Sequence, residues 1–80
     1  MTYKEFKERV EELGLSCRFY DYGVNVYSID DFAIATIYDT KRYFGVINFN
    51  SSLDSIKKVA LLWLCYDLMR TPLENRGELQ

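Results

Sequence analysis

The chain has no histidine. That removes serine–histidine and cysteine–histidine nucleophiles and every histidine metal site at once. It has only four glycines, scattered at turn positions, so there is no glycine-rich phosphate loop. Two cysteines, Cys17 and Cys65, fall short of the four ligands a structural zinc site takes. Lys41-Arg42 and Lys57-Lys58 are isolated basic pairs, and the net charge is −2. Phosphate backbones are held by clustered Lys and Arg, so general DNA binding is disfavoured. The longest apolar run, Val59 to Tyr66, is far shorter than the roughly 20 residues a membrane helix needs. No cofactor, metal site or membrane segment is therefore expected.

What is present is a core in the making. The 80 residues make one domain, and a domain this small buries only about two-thirds of its unfolded surface. Hydrophobic residues make up 49%, too many for a disordered chain. Aromatics reach 16%, with seven Tyr and five Phe, which lets a small core bury large areas. Tyrosine also suits interfaces, where the ring is buried and the hydroxyl stays wet. Both cysteines sit in apolar patterns, as small buried hydrophobes do. They read as reduced thiols of a cytoplasmic protein, with a Cys17–Cys65 disulfide as the alternative. Met1 leads straight into a capped, charged helix, so no signal peptide is expected.

Thr2-Tyr3-Lys4-Glu5 fits a capping box, with Met1 and Phe6 placed as a hydrophobic staple. Tyr3, Phe6, Val10 and Leu13 share one face of the helix that follows. Glu5, Glu8, Glu11 and Glu12 read as a solvated face, with i,i+4 partners Lys4–Glu8, Glu5–Arg9 and Lys7–Glu11. Gly14 ends the helix.

Strands are predicted over Leu15–Tyr22, Val24–Ile29, Phe32–Tyr38 and Arg42–Phe49, separated by Gly23, Asp30-Asp31 and Asp39-Thr40-Lys41. In the first, Leu15, Cys17 and Phe19 alternate with Arg18, Tyr20 and Tyr22. Spacing this close predicts an antiparallel meander, because parallel strands need long crossovers. Ser51 or Ser52 is expected to cap a closing helix from Leu53 to Met69 or Arg70, with Asp54 favouring its positive end. Thr71-Pro72 ends it, because the residue before proline is pushed out of the helical region. Residues 1–72 then form an α+β domain ordered α-β-β-β-β-α, with both helices mainly on one face of the sheet. Residues 73–80 are expected as a loosely held polar tail.

The closing helix carries two candidate apolar stripes. The main one holds Ile56, Ala60 and Trp63, with Asp67 lying among them. A buried carboxylate needs a partner, and Arg70 at i+3 is the local candidate. The second stripe is Leu62, Cys65, Tyr66 and Met69. One sheet cannot bury both, so the first helix or a neighbouring chain must cover the second. Tyr20, Tyr22 and Tyr27 project to the sheet face away from the helices. That face reads as cross-strand tyrosine pairs, as a protein-binding face, or as a stacking platform for single-stranded nucleic acid. The last requires flanking basic residues, and only Arg18 is in evidence. Asp30-Asp31 reads as a turn rather than a cation site.

Three segments together resemble small, mostly uncharacterised proteins encoded by phages and prophages of Gram-positive bacteria. They are the opening Met1-Thr2-Tyr3-Lys4-Glu5-Phe6-Lys7 leading to Val10-Glu11-Glu12-Leu13-Gly14, the Ile-Ala-Thr-Ile core from Ile34 to Ile37, and Arg70-Thr71-Pro72-Leu73-Glu74-Asn75-Arg76. The resemblance implies a cytoplasmic accessory role in a bacterial host and brings no catalytic residues. The expectation is a non-enzymatic interaction module that forms a homo-oligomer or binds a host protein. Its contacts are expected at Leu62, Cys65, Tyr66 and Met69 and at Tyr20, Tyr22 and Tyr27.

Overall fold

The structure is a computed structural model that describes residues 1–38 and 54–77. Its elements in order are helix α1 (Tyr3–Glu12), strands β1 (Ser16–Tyr20), β2 (Gly23–Tyr27) and β3 (Ala33–Tyr38), helix α2 (Ser55–Arg70) and a 3-10 turn at Leu73–Asn75. The class is α+β, as the sequence implies. The described residues hold three antiparallel strands in the order β1-β2-β3. The expected fourth strand, Arg42–Phe49, lies outside the described residues.

α1 begins as the capping box requires. Thr2 Oγ1 accepts from the Glu5 backbone N–H at 3.1 Å, and Glu5 Oε1 accepts from the Thr2 N–H at 2.9 Å. The Thr2 N–H bond, and a second from the Thr2 hydroxyl to Glu5 Oε1 at 3.1 Å, hold the Glu5 pKa below its ordinary value. The helix ends in a Schellman motif: Leu15 N–H donates to Val10 O and Gly14 N–H to Glu11 O, with Gly14 at φ 80°. The charged face of α1 is exposed as expected. Among the described residues the expected i,i+4 pairs do not close, and Arg9–Glu12 at 3.9 Å forms instead.

The strand register separates two faces. Phe19, Val24 and Ile37 are aligned across the sheet, as are Cys17, Val26 and Ala35. This row set faces the helices and joins Tyr3, Phe6 and Val10 of α1 and Leu61, Cys65 and Leu68 of α2 in one core. A register shift at Val26/Tyr27 leaves Ile34 as an extra residue in β3, so Ile34 and Ala35 are both buried although adjacent. The β2–β3 connection is longer than the expected Asp30-Asp31 turn. It is closed by Ser28 N–H on Phe32 O at 2.8 Å, with Asp31 at φ 68°.

α2 differs from expectation in two respects. Its N-cap is Asp54, which accepts from the Lys57 N–H at 3.0 Å, rather than Ser51 or Ser52. A carboxylate at this position satisfies an orphan donor and meets the positive end of the dipole together. The buried stripe is Leu61, Cys65 and Leu68, neither of the two the sequence offered. A helix apolar on every side between Val59 and Tyr66 has no periodicity to orient it. Packing against α1 over the shared core then selects the rotation.

The segment expected as a loose tail from Leu73 is anchored as far as the structure describes it. Arg76 is fully buried. Its Nε donates to Thr71 O at 2.9 Å and an Nη to Met69 O at 3.2 Å, placing a cation on the carbonyls at the negative end of α2.

Candidate interaction surfaces

The rotation of α2 decides what the molecule presents. With Leu61, Cys65 and Leu68 inward, Ile56, Val59, Leu62, Trp63 and Tyr66 face outward along about three turns. Ile56 is 83% exposed and Trp63 is 64% exposed. Trp63 and Tyr66 meet edge to face at 6.3 Å. The stripe ends at Arg70, which lies 5.5 Å from the Tyr66 ring and 3.6 Å from Asp67. The expected Asp67–Arg70 pairing is thus present, on a half-exposed carboxylate. Among the described residues no helix is long and apolar enough to cross a membrane.

This arrangement divides the expected contact residues. Leu62 and Tyr66 stand on the open face. Cys65 is fully buried and closed to a partner, while Met69 is partly buried against the core at the margin of the open face. Ile56, Val59 and Trp63 belong to the surface instead. The signal that could have identified them is the tryptophan: a ring that large is hard to seat beside the two flat layers of a small core.

The second surface is the outer face of the sheet. Tyr20, Gly23 and Tyr38 form one cross-strand row, and Arg18, Asn25 and Thr36 form the next. Gly23 supplies no side chain, and the Tyr22 ring, arriving from the turn, occupies the space over the row. It stacks on Tyr20 at 5.2 Å with 3° between planes, and tilts against Tyr38 at 5.7 Å. Gly23 must be glycine here. Its φ is 144°, and a Cβ would stand 2.0 Å from the Ile37 carbonyl oxygen.

Hydrogen bonds tie the rings from beneath. Asn25 Nδ2 donates to the Tyr22 and Tyr27 hydroxyls, each at 3.0 Å, and the Tyr20 and Tyr27 hydroxyls meet at 3.2 Å. The bond from Tyr20 stabilises the Tyr27 phenolate and lowers the Tyr27 pKa, and the same bond raises that of Tyr20. Arg18 lies over the Tyr27 ring at 4.5 Å, with its guanidinium on Asp31 Oδ1 at 2.6 Å. The expected Tyr20, Tyr22 and Tyr27 are therefore brought together. Tyr38 and Asn25 are members the sequence reading missed; strand parity with Thr36 could have placed Tyr38. Ile29 and Phe32 are also exposed, on the β2–β3 loop.

The chemistry available is limited. Cys17 and Cys65 are free thiols, and burial pushes both up to about 12. A shallow depression beside α1 is lined by Lys4, Lys7, Glu8, Glu11 and Arg76 among others, a mixture of signs that favours no one ligand charge. No group of three or more carboxylates and cysteines is gathered for a metal among the described residues.

No protein-family model, curated protein or solved structure matches the chain.

Proposed function

We propose that the chain is a non-enzymatic protein-interaction module that works through the outer face of α2. One observation carries this reading: five large apolar side chains, Ile56, Val59, Leu62, Trp63 and Tyr66, stand exposed on one side of a single helix. Contiguous apolar patches of this kind mark interaction sites, because isolated exposed apolar residues are common but clustered ones are not. An aromatic pair, Trp63 and Tyr66, within the patch is the composition expected of an interface anchor. The resemblance to phage and prophage proteins supports an accessory role in the cytoplasm of a bacterial host.

The test compares the native chain with Trp63→Glu for retention of binding proteins from lysate of a Gram-positive host and for self-association. Loss of every specific interaction in the variant, with unchanged helical circular dichroism, is expected. Interactions indifferent to Trp63→Glu would place the binding surface elsewhere and defeat the reading.

Binding of single-stranded nucleic acid to the tyrosine face is the rival. The stacked Tyr20 and Tyr22 rings favour it. Among the described residues its cation is Arg18, which is already paired to Asp31, and Asp21 and Asp30 stand exposed in the neighbouring loops. A surface with that charge repels phosphates.

A further inference from the structure

We infer that the occupant of the α2 face is a second copy of this chain, with the two α2 helices antiparallel about a two-fold axis. The inference rests on the reading of α2 as an interaction surface and adds the partner and its orientation. Three features of the helix support it.

The first is the distribution of side-chain size. The aliphatic members, Ile56 and Val59, lie in the N-terminal half of α2, and the aromatic members, Trp63 and Tyr66, lie in the C-terminal half. An axis level with Leu61 sets Ile56 against Tyr66 of the second copy and Val59 against its Trp63. Each aromatic ring then meets an aliphatic side chain, at both ends of the contact. Parallel helices would set Trp63 on Trp63 and leave the small Val59 side chains facing each other.

The second is charge. From Val59 to Tyr66 the helix carries no charged residue. Lys57 and Lys58 flank one end, and Asp67 and Arg70 flank the other. Lys57 turns away from the stripe toward Gly14 of α1 and the Asp54 carboxylate is held as the N-cap, so the antiparallel arrangement leaves the contact itself free of charge. It also opposes the helix dipoles. A parallel pair would align the dipoles.

The third is area. The exposed fractions of the five side chains amount to roughly 600 Å² per chain, so a pair removes about 1,200 Å² from water, the lower edge of stable interfaces. An isologous contact doubles a patch that would be marginal against an unrelated flat surface.

Disulfide trapping tests the orientation. Ile56→Cys and Tyr66→Cys are prepared separately, each in the full chain, whose own thiols are half-buried or buried. Under mild oxidation, an equimolar mixture is expected to give a covalent heterodimer, while each variant alone gives little. Adding Trp63→Glu to both partners should abolish the cross-link. A mixture that fails to cross-link, or variants that each trap with themselves, would overturn the antiparallel pair. If the native chain stays monomeric but retains a host protein in a Trp63-dependent way, the second copy is excluded and the interaction reading survives.

Discussion

The backbone N–H of Tyr3 donates to the carbonyl of Arg76 at 2.7 Å, and the Arg76 guanidinium lies 6.0 Å from the Tyr3 ring centroid. Residues distant in sequence thus share one structural unit. The Tyr3 N–H is one of the donors that the first turn of a helix leaves unused, and the segment after α2 supplies its acceptor. The same arginine takes up carbonyls at the end of α2. Arg76→Ala should therefore lower stability by about 3 kcal/mol, the value of lost charge-assisted bonds in a buried site. Arg76→Lys should recover only part of it, because a point charge cannot serve the forked geometry. Urea midpoints for the three chains check this.

Thr2→Ala removes the acceptor for the Glu5 N–H and should cost about 1 kcal/mol. The pH dependence has a defined sign. The Glu5 pKa is lower in the fold than in the unfolded chain, so its contribution is full above about pH 4.3 and is lost as pH falls through the folded value. Thr2→Ala removes the hydroxyl bond to Glu5 but keeps the larger backbone one, so it should flatten that acid limb only in part. Thermal unfolding between neutral and acid pH reports both effects.

Gly23→Ala should be among the most damaging single substitutions in the sheet. The added Cβ meets the Ile37 backbone oxygen rather than a flexible side chain, at a φ that other residues rarely adopt. A loss of about 3 kcal/mol or more is expected, with Tyr22 displaced from between Tyr20 and Tyr38. Near-ultraviolet circular dichroism of the tyrosines, together with unfolding midpoints, measures it.

Both thiols are held protonated by burial, up to about 12. Unfolded thiols ionise near pH 8.5, so above that value the unfolded chain loses protons that the fold retains. Stability should fall as pH rises through this window, by at most about 1.4 kcal/mol per pH unit for each thiol. Cys65→Ala should lower stability at neutral pH through the cavity it leaves, yet weaken this alkaline decline. Alkylation of the native chain should be slow at Cys65, and fast modification there would refute its burial.

Much of the fold was legible before any coordinates, and the reasons are local. The Thr2–Glu5 box, the Gly14 stop and the alternation through Cys17, Phe19, Val24 and Val26 each depend on neighbours in sequence, and all appear in the structure. The rotation of α2 was not legible. With apolar residues on every side from Val59 to Tyr66, burial of Leu61, Cys65 and Leu68 is decided by the tertiary core they join rather than by the helix itself. That one rotation takes Cys65 out of the candidate surface, leaves Met69 at its margin and brings Ile56, Val59 and Trp63 into it. The anchoring of Arg76 was hidden for the same reason: its acceptors, Met69 O and Thr71 O, are backbone groups whose availability depends on where α2 ends. Tyr22 was assigned to the correct sheet face, but it arrives there from a turn rather than from strand alternation.

The outer face of α2 is the centre of this account, and molar mass measured by light scattering over a dilution series tests it most directly. The native chain should move from the mass of one chain toward that of two as concentration rises, while Trp63→Glu should hold the single-chain mass throughout. A native chain that keeps the single-chain mass at every concentration would contradict the second copy as the occupant of that face, and a Trp63→Glu chain that dimerises equally well would contradict the face itself.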